Sequence, residues 1–367
     1  MRLHSLHIID FRNLTNVQLE MGGADVFFCG DNAQGKTALL EACGLLTALR
    51  SFRTTDLKSV IRFEGSGEAQ VKIGLVHDEQ GDTSVHLNLG KRSRKIQMDG
   101  ASVERLKDFI GLFPVVAFTS QDIQLLRGGP QLRRRFIDLM LAASQPDYFD
   151  CLRYYHHALK ERNALLKQGV NGLQLQVFER GLADQGVPLH RMRREAFTDL
   201  NTDLQLVYSR FGDVAEKVQI NYKPSGRCES MDAYLSHLEE TRKRDLMMQT
   251  TGVGPHRDDF ELKIGGKAAK DFGSEGQQRG LVLALRLAEV RWFRKKLKVA
   301  PIILADDVLN ELDASRSTAF WENLDDDLQV LATGTRWPSS SRRAGWLKYK
   351  VAEGNVSIYT ETKMDEN

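Results

Sequence analysis

The chain is 367 residues long, 41% hydrophobic and 27% charged, which gives enough apolar material for a sizeable core and enough length for two or three domain-sized units. Its net charge of +2 announces no bulk polycation, so any nucleic-acid contact has to come from local basic clusters. No segment approaches the roughly 20 apolar residues of a membrane span, and the scattered Cys29, Cys43, Cys151 and Cys228 form no CxxC pair, so neither a zinc site nor a disulfide framework is indicated and a reducing, cytoplasmic compartment is expected.

The opening text MRLHSLHIIDFRNL alternates and carries His and Asp, so it reads as a strand rather than as the apolar core of a secretory signal. Leu3–Ile9 and Val17–Leu19 are expected strands around an FRNLTN turn. Ala24–Cys29 is a short buried strand that runs directly into a glycine-bearing loop and a helix over Lys36–Leu49. Ala69–Val76, Ser84–Leu89 and SRKIQMDGASV alternate with period two around HDEQGD and a tight Asp99-Gly100 turn, which predicts an antiparallel β layer. Phe113–Phe118 is a further buried strand.

From Pro130 to about Tyr208, and again over Ser230–Met248, the pattern is helical without sustained heptads. It predicts a compact helical lobe inserted into an α/β domain, with Met247–Met248 in its core. The α/β text returns from Gly252, with a helix beginning in Phe272–Glu289 and the strands APIILADD and LQVLATGT. The expected divisions are 1–127, 128–250 and 251–367. SSSRR reads as a loop and KMDEN as a polar tail, and WPSSSRRAGWLKYK after Arg336 matches no pattern.

Gly30–Thr37, GDNAQGKT, fits G-x-x-x-x-G-K-[ST] between a buried strand and a helix. In that setting the backbone N–H groups of Gly30, Asp31, Asn32, Ala33, Gln34 and Gly35 wrap a phosphate. Lys36 neutralises the β- and γ-phosphates, Thr37 ligates Mg²⁺, and the helix N-terminus adds partial positive charge. IILADD then ends a buried strand on two carboxylates. An aspartate pair at a strand exit is common by itself. Beside a phosphate loop, Asp306 is placed to hold Mg²⁺ and Asp307 to polarise an attacking water. Asn310–Asp313, NELD, reads either as a helix start or as a second nucleotide-facing loop.

In FGSEGQQRGLVLALRLAE, Ser274 and Gln277 make a capping box. The cap explains those two residues but not Gly276 or Arg279. Leu281, Leu285 and Ala288 mark one buried face, with Val282 and Leu287 off it. Arg279 is open to DNA, to nucleotide or to a salt bridge.

The order of phosphate loop, polar helix start and acidic strand is similar to that of ABC-type ATPases of the SMC class. Over nearly its whole length the chain resembles the RecF family of bacterial recombination-mediator ATPases, through FRNL, GDNAQGKTALLEA, SFRTTD, LRRRFID, LKERNALLK, GPHRDDF, SEGQQR and DDVLNELD. The resemblance implies an α/β, ABC-type P-loop ATPase core with an antiparallel β layer and an inserted helical lobe. The first division, 1–127, carries the P-loop, 128–250 is the lobe, and 251–367 carries the signature stretch, the acidic strand and the D-loop at Asn310–Asp313. Ser274, Gly276 and Gln277 of one subunit would contact the nucleotide held by another.

The resemblance further implies ATP and Mg²⁺ as cofactors, an ATP-driven homodimer on single-stranded, duplex, gapped or junction DNA, and cooperation with RecR and RecO to load RecA. It places GPHRDD near the nucleotide and the dimer interface; read alone, that stretch equally fits a brace for the helical lobe. The family's proline and acids are replaced at Ser120–Asp122 by SQD, where Gln121 could be the water-binding glutamine of a Q-loop. Thr333–Thr335, TGT, stands where transporters carry a histidine, so hydrolysis should lean on Asp307 and be slow. Arg133, Arg134 and Arg135, the RMRR at Arg191–Arg194 and the KRSRK at Lys91–Lys95 are either solvated faces or a phosphate-contacting surface. A transporter ATPase subunit, another SMC-like ATPase and a small-molecule P-loop kinase are the alternatives.

Overall fold

The computed structural model describes residues 1–54, 56–170, 172–211, 216–310, 312–337 and 345–360, with Asn310 by its backbone only. The SSSRR loop, the KMDEN tail and Glu311 of NELD therefore lie outside the described residues. The chain forms two compact units, one of Met1–Asp122 together with the described residues from Glu289 onward, the other Ile123–Ala288.

In the first unit, β1 (Arg2–Phe11) and β2 (Leu14–Glu20) pair antiparallel, and β3 (Val26–Cys29) leads through the glycine loop to α1 (Lys36–Gly44). The helix stops five residues short of the expected Leu49, which has a left-handed φ of 50°. β4 (Glu68–His77), β5 (Gly81–Gly90), β6 (Arg94–Met98) and β7 (Ala101–Ser102) complete an antiparallel sheet in the order β2-β1-β4-β5-β6-β7. The β6–β7 turn has φ of 50° at Asp99 and 81° at Gly100, the two positive values that a two-residue type I′ hairpin requires. Val71, Ile73 and Leu75 alternate into the same core as Leu39 and Leu40 of α1 and the buried Leu304 and Leu331. The first unit's N-terminal part ends with β8 (Val115–Thr119).

The second unit opens with α2 (Gln124–Arg127), α3 (Pro130–Ser144), α4 (Pro146–Lys167) and α5 (Leu173–Tyr208). β9 (Val218–Lys223) lies between the two stretches that read as helical, and α6 (Met231–Met248), β10 (Asp259–Ile264), β11 (Lys267–Ala268) and α7 (Ala269–Phe272) follow it. The three strands form their own antiparallel sheet, β11-β10-β9. The unit's bounds accordingly run wider than 128–250.

Helices α4, α5 and α6 are joined by a buried charge network. Arg162 donates to Glu179 at 3.0 Å, Asp245 at 2.8 Å and Thr251 at 2.8 Å, while Arg242 closes on Glu179 at 2.6 Å. An ion pair removed from water persists only when its remaining donors and acceptors are satisfied, as they are here. Met247 and Met248, expected in the core, are 70% and 67% exposed. They follow Asp245, the last α6 residue in the network, where the helix runs out toward its left-handed C-cap at Gln249.

Helix α8 (Glu275–Leu297) contains the boundary between the units at Ala288 and Glu289. It is not one-faced, since Leu281 through Leu285 and Leu287 through Val290 are all buried. Back in the first unit, β12 (Ile302–Asp306), α9 (Ala314–Glu322), β13 (Val330–Gly334), β14 (Leu347–Ala352) and β15 (Asn355–Ile358) follow. They build the second six-stranded sheet, β15-β14-β3-β13-β12-β8, in which the strands from β14 to β8 run parallel. The segment after Arg336 that matched no pattern thus supplies β14 beside β3. Among the described residues no helix is long and apolar enough to cross a membrane.

Candidate nucleotide-binding site

In a parallel sheet the C-terminal strand ends share one edge, where α/β folds place ligands. At that edge lie the loop after β3, Asp306 of β12, Gly334 of β13 and Gln121 just beyond β8. The acidic strand is not the neighbour of β3, because β13 lies between them. The gap is bridged by hydroxyls. Thr37 Oγ1 donates to Asp306 Oδ1 at 2.9 Å, and Thr333 Oγ1 on the intervening strand donates to the same oxygen at 3.0 Å. Thr333 Oγ1 also accepts the Asp307 backbone N–H at 2.9 Å. Asp307 sits there at φ 56°, a left-handed conformation that Asp adopts more readily than most side chains. Thr333 thereby aims both carboxylates, a role that the sequence signalled only as a missing histidine.

The loop is shaped by two glycines for different reasons. Gly35 has φ 112°, open to glycine alone at low cost. At Gly30 a Cβ would fall 2.2 Å from the Val351 carbonyl oxygen, so glycine there admits the backbone of β14. Gln34 is braced by the β14–β15 turn, its carbonyl accepting from Gly354 N at 3.0 Å and its side chain from Glu353 N at 2.5 Å. Asn13, in the β1–β2 turn, donates to the Ala33 carbonyl at 3.3 Å.

Lys36 is 3% exposed, donates to the Gly30 and Asp31 carbonyls at 2.7 and 3.0 Å, and lies 4.0 Å from Asp307 Oδ1. That Asp307 oxygen is buried with no hydrogen-bond partner among the described residues. Burial raises the pKa of Asp306 above the ordinary carboxylate range, against the hydroxyls of Thr37 and Thr333, and the charge of Asp307 adds to the rise. A crowded carboxylate pair beside a hydroxyl is an oxygen donor set that a small hard cation would relieve, so these residues fit Mg²⁺. Gln121 is exposed on the short helix Ser120–Ile123. Asp313 caps α9, accepting from Arg316 N at 2.9 Å, so the end of NELD is a helix start.

The capping box in the second unit forms as expected, with Ser274 N donating to Gln277 Oε1 at 2.8 Å and Gln277 N to Ser274 Oγ at 3.2 Å. Gln277 Nε2 also donates to Glu216 at 2.5 Å, so its amide is engaged on both sides. The exposed Ser274 hydroxyl proton has no acceptor among the described residues. Arg279 pairs with Glu275 at 3.1 Å, one helical turn away on the surface.

The basic run on α3 is largely committed to the interior of its unit. Arg133 pairs with Asp259 at 2.6 Å, and Arg134 donates to the Asp258 carbonyl at 2.8 Å; Arg135 is half-buried. From RMRR, Arg193 is buried against Asp138 at 2.7 Å, Asp258 at 2.8 Å and the Pro255 carbonyl at 2.7 Å. GPHRDD therefore braces α3 and α5 to β10. His256 takes part, with Nδ1 at 2.7 Å from the Tyr155 hydroxyl and Nε2 at 3.0 Å from the Thr251 carbonyl.

Burial pushes the His256 pKa down to about 4, helped by the charges of Arg257 and Arg134, although the Thr251 carbonyl favours protonation. An unfolded histidine binds its proton near 6.5. Between these values the unfolded chain binds more protons, so stability is expected to fall as pH drops through the window, by up to roughly 1.4 kcal/mol per pH unit. Burial lowers His156 and His190 too, so the His256 share is the difference between the wild type and His256→Gln. Urea unfolding followed by far-UV circular dichroism at several pH values measures it, since Trp292, Trp321, Trp337 and Trp346 all lie in the first unit. Parallel pH slopes in the two proteins would contradict the assignment.

A family model described as the RecF/RecN/SMC N terminal domain matches residues 2–344. DNA replication and repair protein RecF of Streptococcus thermophilus is 36% identical over 342 residues, covering 91% of this chain and 92% of that protein. RecF of Nostoc punctiforme is 36% identical over 362 residues, covering 95% and 96%. A solved structure of the recombination mediator protein RecF with ATP, of the RecFOR pathway, superposes with a TM-score of 0.89 at 27% identity over 98% of both chains. With its ABC-type ATPase core, antiparallel β layer and near-complete alignment to these relatives, the chain belongs to the RecF family of DNA replication and repair proteins.

Proposed function

We propose that the chain is an ATP-gated, dimerising DNA-binding protein of replication and recombinational repair, with slow hydrolysis as its reset. The observation that carries the reading is the connection of Lys36 and Thr37 to Asp307 and Asp306 at one sheet edge, with a buried Asp307 oxygen that has no hydrogen-bond partner among the described residues. Lys36 would bind the β- and γ-phosphates, the Gly30–Gly35 backbone would wrap them, and Thr37 and Asp306 would hold Mg²⁺. The metal would supply charge neutralisation at the phosphates. Asp307 would orient the attacking water.

Ser274 and Gly276 of a second copy would close the site. The Ser274 hydroxyl has a proton to donate, and the first N–H groups of α8 favour an anion. Gln277 would contribute by fixing the cap rather than by its amide. ATP then acts as an interfacial ligand that favours the closed dimer by its differential affinity for it. DNA would be released on hydrolysis, and RecR and RecO would act with the dimer in loading RecA.

Binding to single-stranded, duplex and gapped DNA, with and without ATP at two salt concentrations, tests the reading. ATP is expected to raise affinity, with a salt dependence typical of phosphate contacts. Binding indifferent to ATP on every substrate would contradict it.

A further inference from the structure

The structure treats the basic clusters unequally. Arg133, Arg134 and Arg193 are held by carboxylates and carbonyls inside the second unit. On the first unit, the β5–β6 hairpin carries Lys91 and Arg92 in its turn and Arg94 and Lys95 at the start of β6, all exposed, and Arg50 and Lys58 are exposed as well. None of the six has an ion-pair partner among the described residues. Lys58, Lys91, Arg92 and Arg94 line one concavity of about 440 Å³. Partial burial and the neighbouring charge of Arg94 lower the pKa of Arg50, which places two like charges within each other's field.

The carboxylates in the vicinity do not neutralise this group. Asp56 accepts the Lys58 backbone N–H at 3.0 Å as a cap, and Glu68 is the cross-strand neighbour of Gly90. The segment carrying Arg50 and Lys58 is anchored. Glu41 of α1 accepts from Ser51, and Arg12 joins Glu41 at 2.7 Å to the Ser59 carbonyl at 2.7 Å. The cations are therefore presented on a fixed framework, and none of them is held by an ion pair among the described residues.

We propose that the tip of the β5–β6 hairpin, with Arg50 and Lys58, is a contact surface for the phosphate backbone of nucleic acid, and that the arginine run on α3 is not. The proposal rests on the DNA-binding reading above and locates it. A spread of six cations exceeds what one phosphate group needs and suits consecutive phosphates of a strand. It carries no groove-reading element, so binding there would be independent of sequence.

The test compares the wild type with a variant carrying Arg50→Gln, Lys91→Gln, Arg92→Gln and Arg94→Gln, and with Arg135→Gln. Gapped DNA binding is followed by fluorescence anisotropy across a salt series with ATP present. The hairpin variant should lose affinity at least about tenfold, and its plot of log K against log salt should be shallower by about 0.9 for each phosphate it no longer neutralises. Binding of a fluorescent ATP analogue should be unchanged, and Arg135→Gln should keep the wild-type salt slope. Wild-type affinity and slope in the hairpin variant would overturn the proposal. So would loss of binding to pyrophosphate or to anionic phosphatidylserine vesicles while DNA binding is kept. No ATP-dependent DNA binding by the wild type itself would instead bring down the reading on which the proposal rests.

Discussion

Replacing Lys36 by methionine is expected to lower ATP affinity by about 10- to 100-fold and to remove the ATP-dependent part of DNA binding. A charge-assisted hydrogen bond contributes about 1.5–3 kcal/mol, and each 1.4 kcal/mol is about tenfold in affinity. Methionine matches the length of the stem but cannot donate. The pocket already confines the Lys36 ammonium through the Gly30 and Asp31 carbonyls, so little ordering remains to be done when phosphate arrives. Titration with a fluorescent ATP analogue measures the first effect and anisotropy on gapped DNA the second. ATP-stimulated DNA binding at the wild-type level in the variant would mean that the loop does not gate the protein.

Asp307→Asn is expected to act in the opposite sense on assembly. The substitution keeps the side chain's volume and the Thr333 hydroxyl that accepts the backbone N–H, so nucleotide binding should survive. It removes the charge that faces Lys36 at 4.0 Å through an oxygen with no hydrogen-bond partner among the described residues. Loss of a positioned base lowers hydrolysis by about 10²–10⁴-fold. With the reset slowed, the ATP-bound dimer should persist and be seen by size-exclusion chromatography in ATP. A variant that stays monomeric at saturating ATP would show that Asp307 has another role.

The sequence made the candidate site at the sheet edge legible because its motifs are local. GDNAQGKT and IILADD each place their residues through one strand end, and no long-range information is needed to see them. The bridging role of Thr333 escaped notice because it depends on a strand inserted between β3 and β12, which is a fact of sheet order. The β14–β15 brace did so for the same reason, since parallel pairing of β14 with β3 joins residues far apart in the chain. In the second unit, the three-stranded sheet was missed because β9 is a short strand between two long helical stretches and pairs with β10 far along the chain. Charge runs were the least legible feature. RRR and KRSRK look alike as text, yet Arg133 meets Asp259 at 2.6 Å while the hairpin cations pair with no carboxylate among the described residues.

The central claim is that each ATP site is completed by a second chain, and a mixing experiment tests it most directly. Lys36→Met disables the nucleotide loop, and Ser274→Arg places a bulky cation at the α8 start. A mixed dimer would pair the intact loop of the Ser274→Arg chain with the intact helix start of the Lys36→Met chain. Each variant alone should show no ATP-dependent crosslinked dimer and no ATP turnover. The mixture should recover both, to at most about half the wild-type turnover, because one of its two composite sites is whole. A Ser274→Arg protein that turns over ATP normally by itself, or a mixture no more active than its parts, would contradict a site shared between chains.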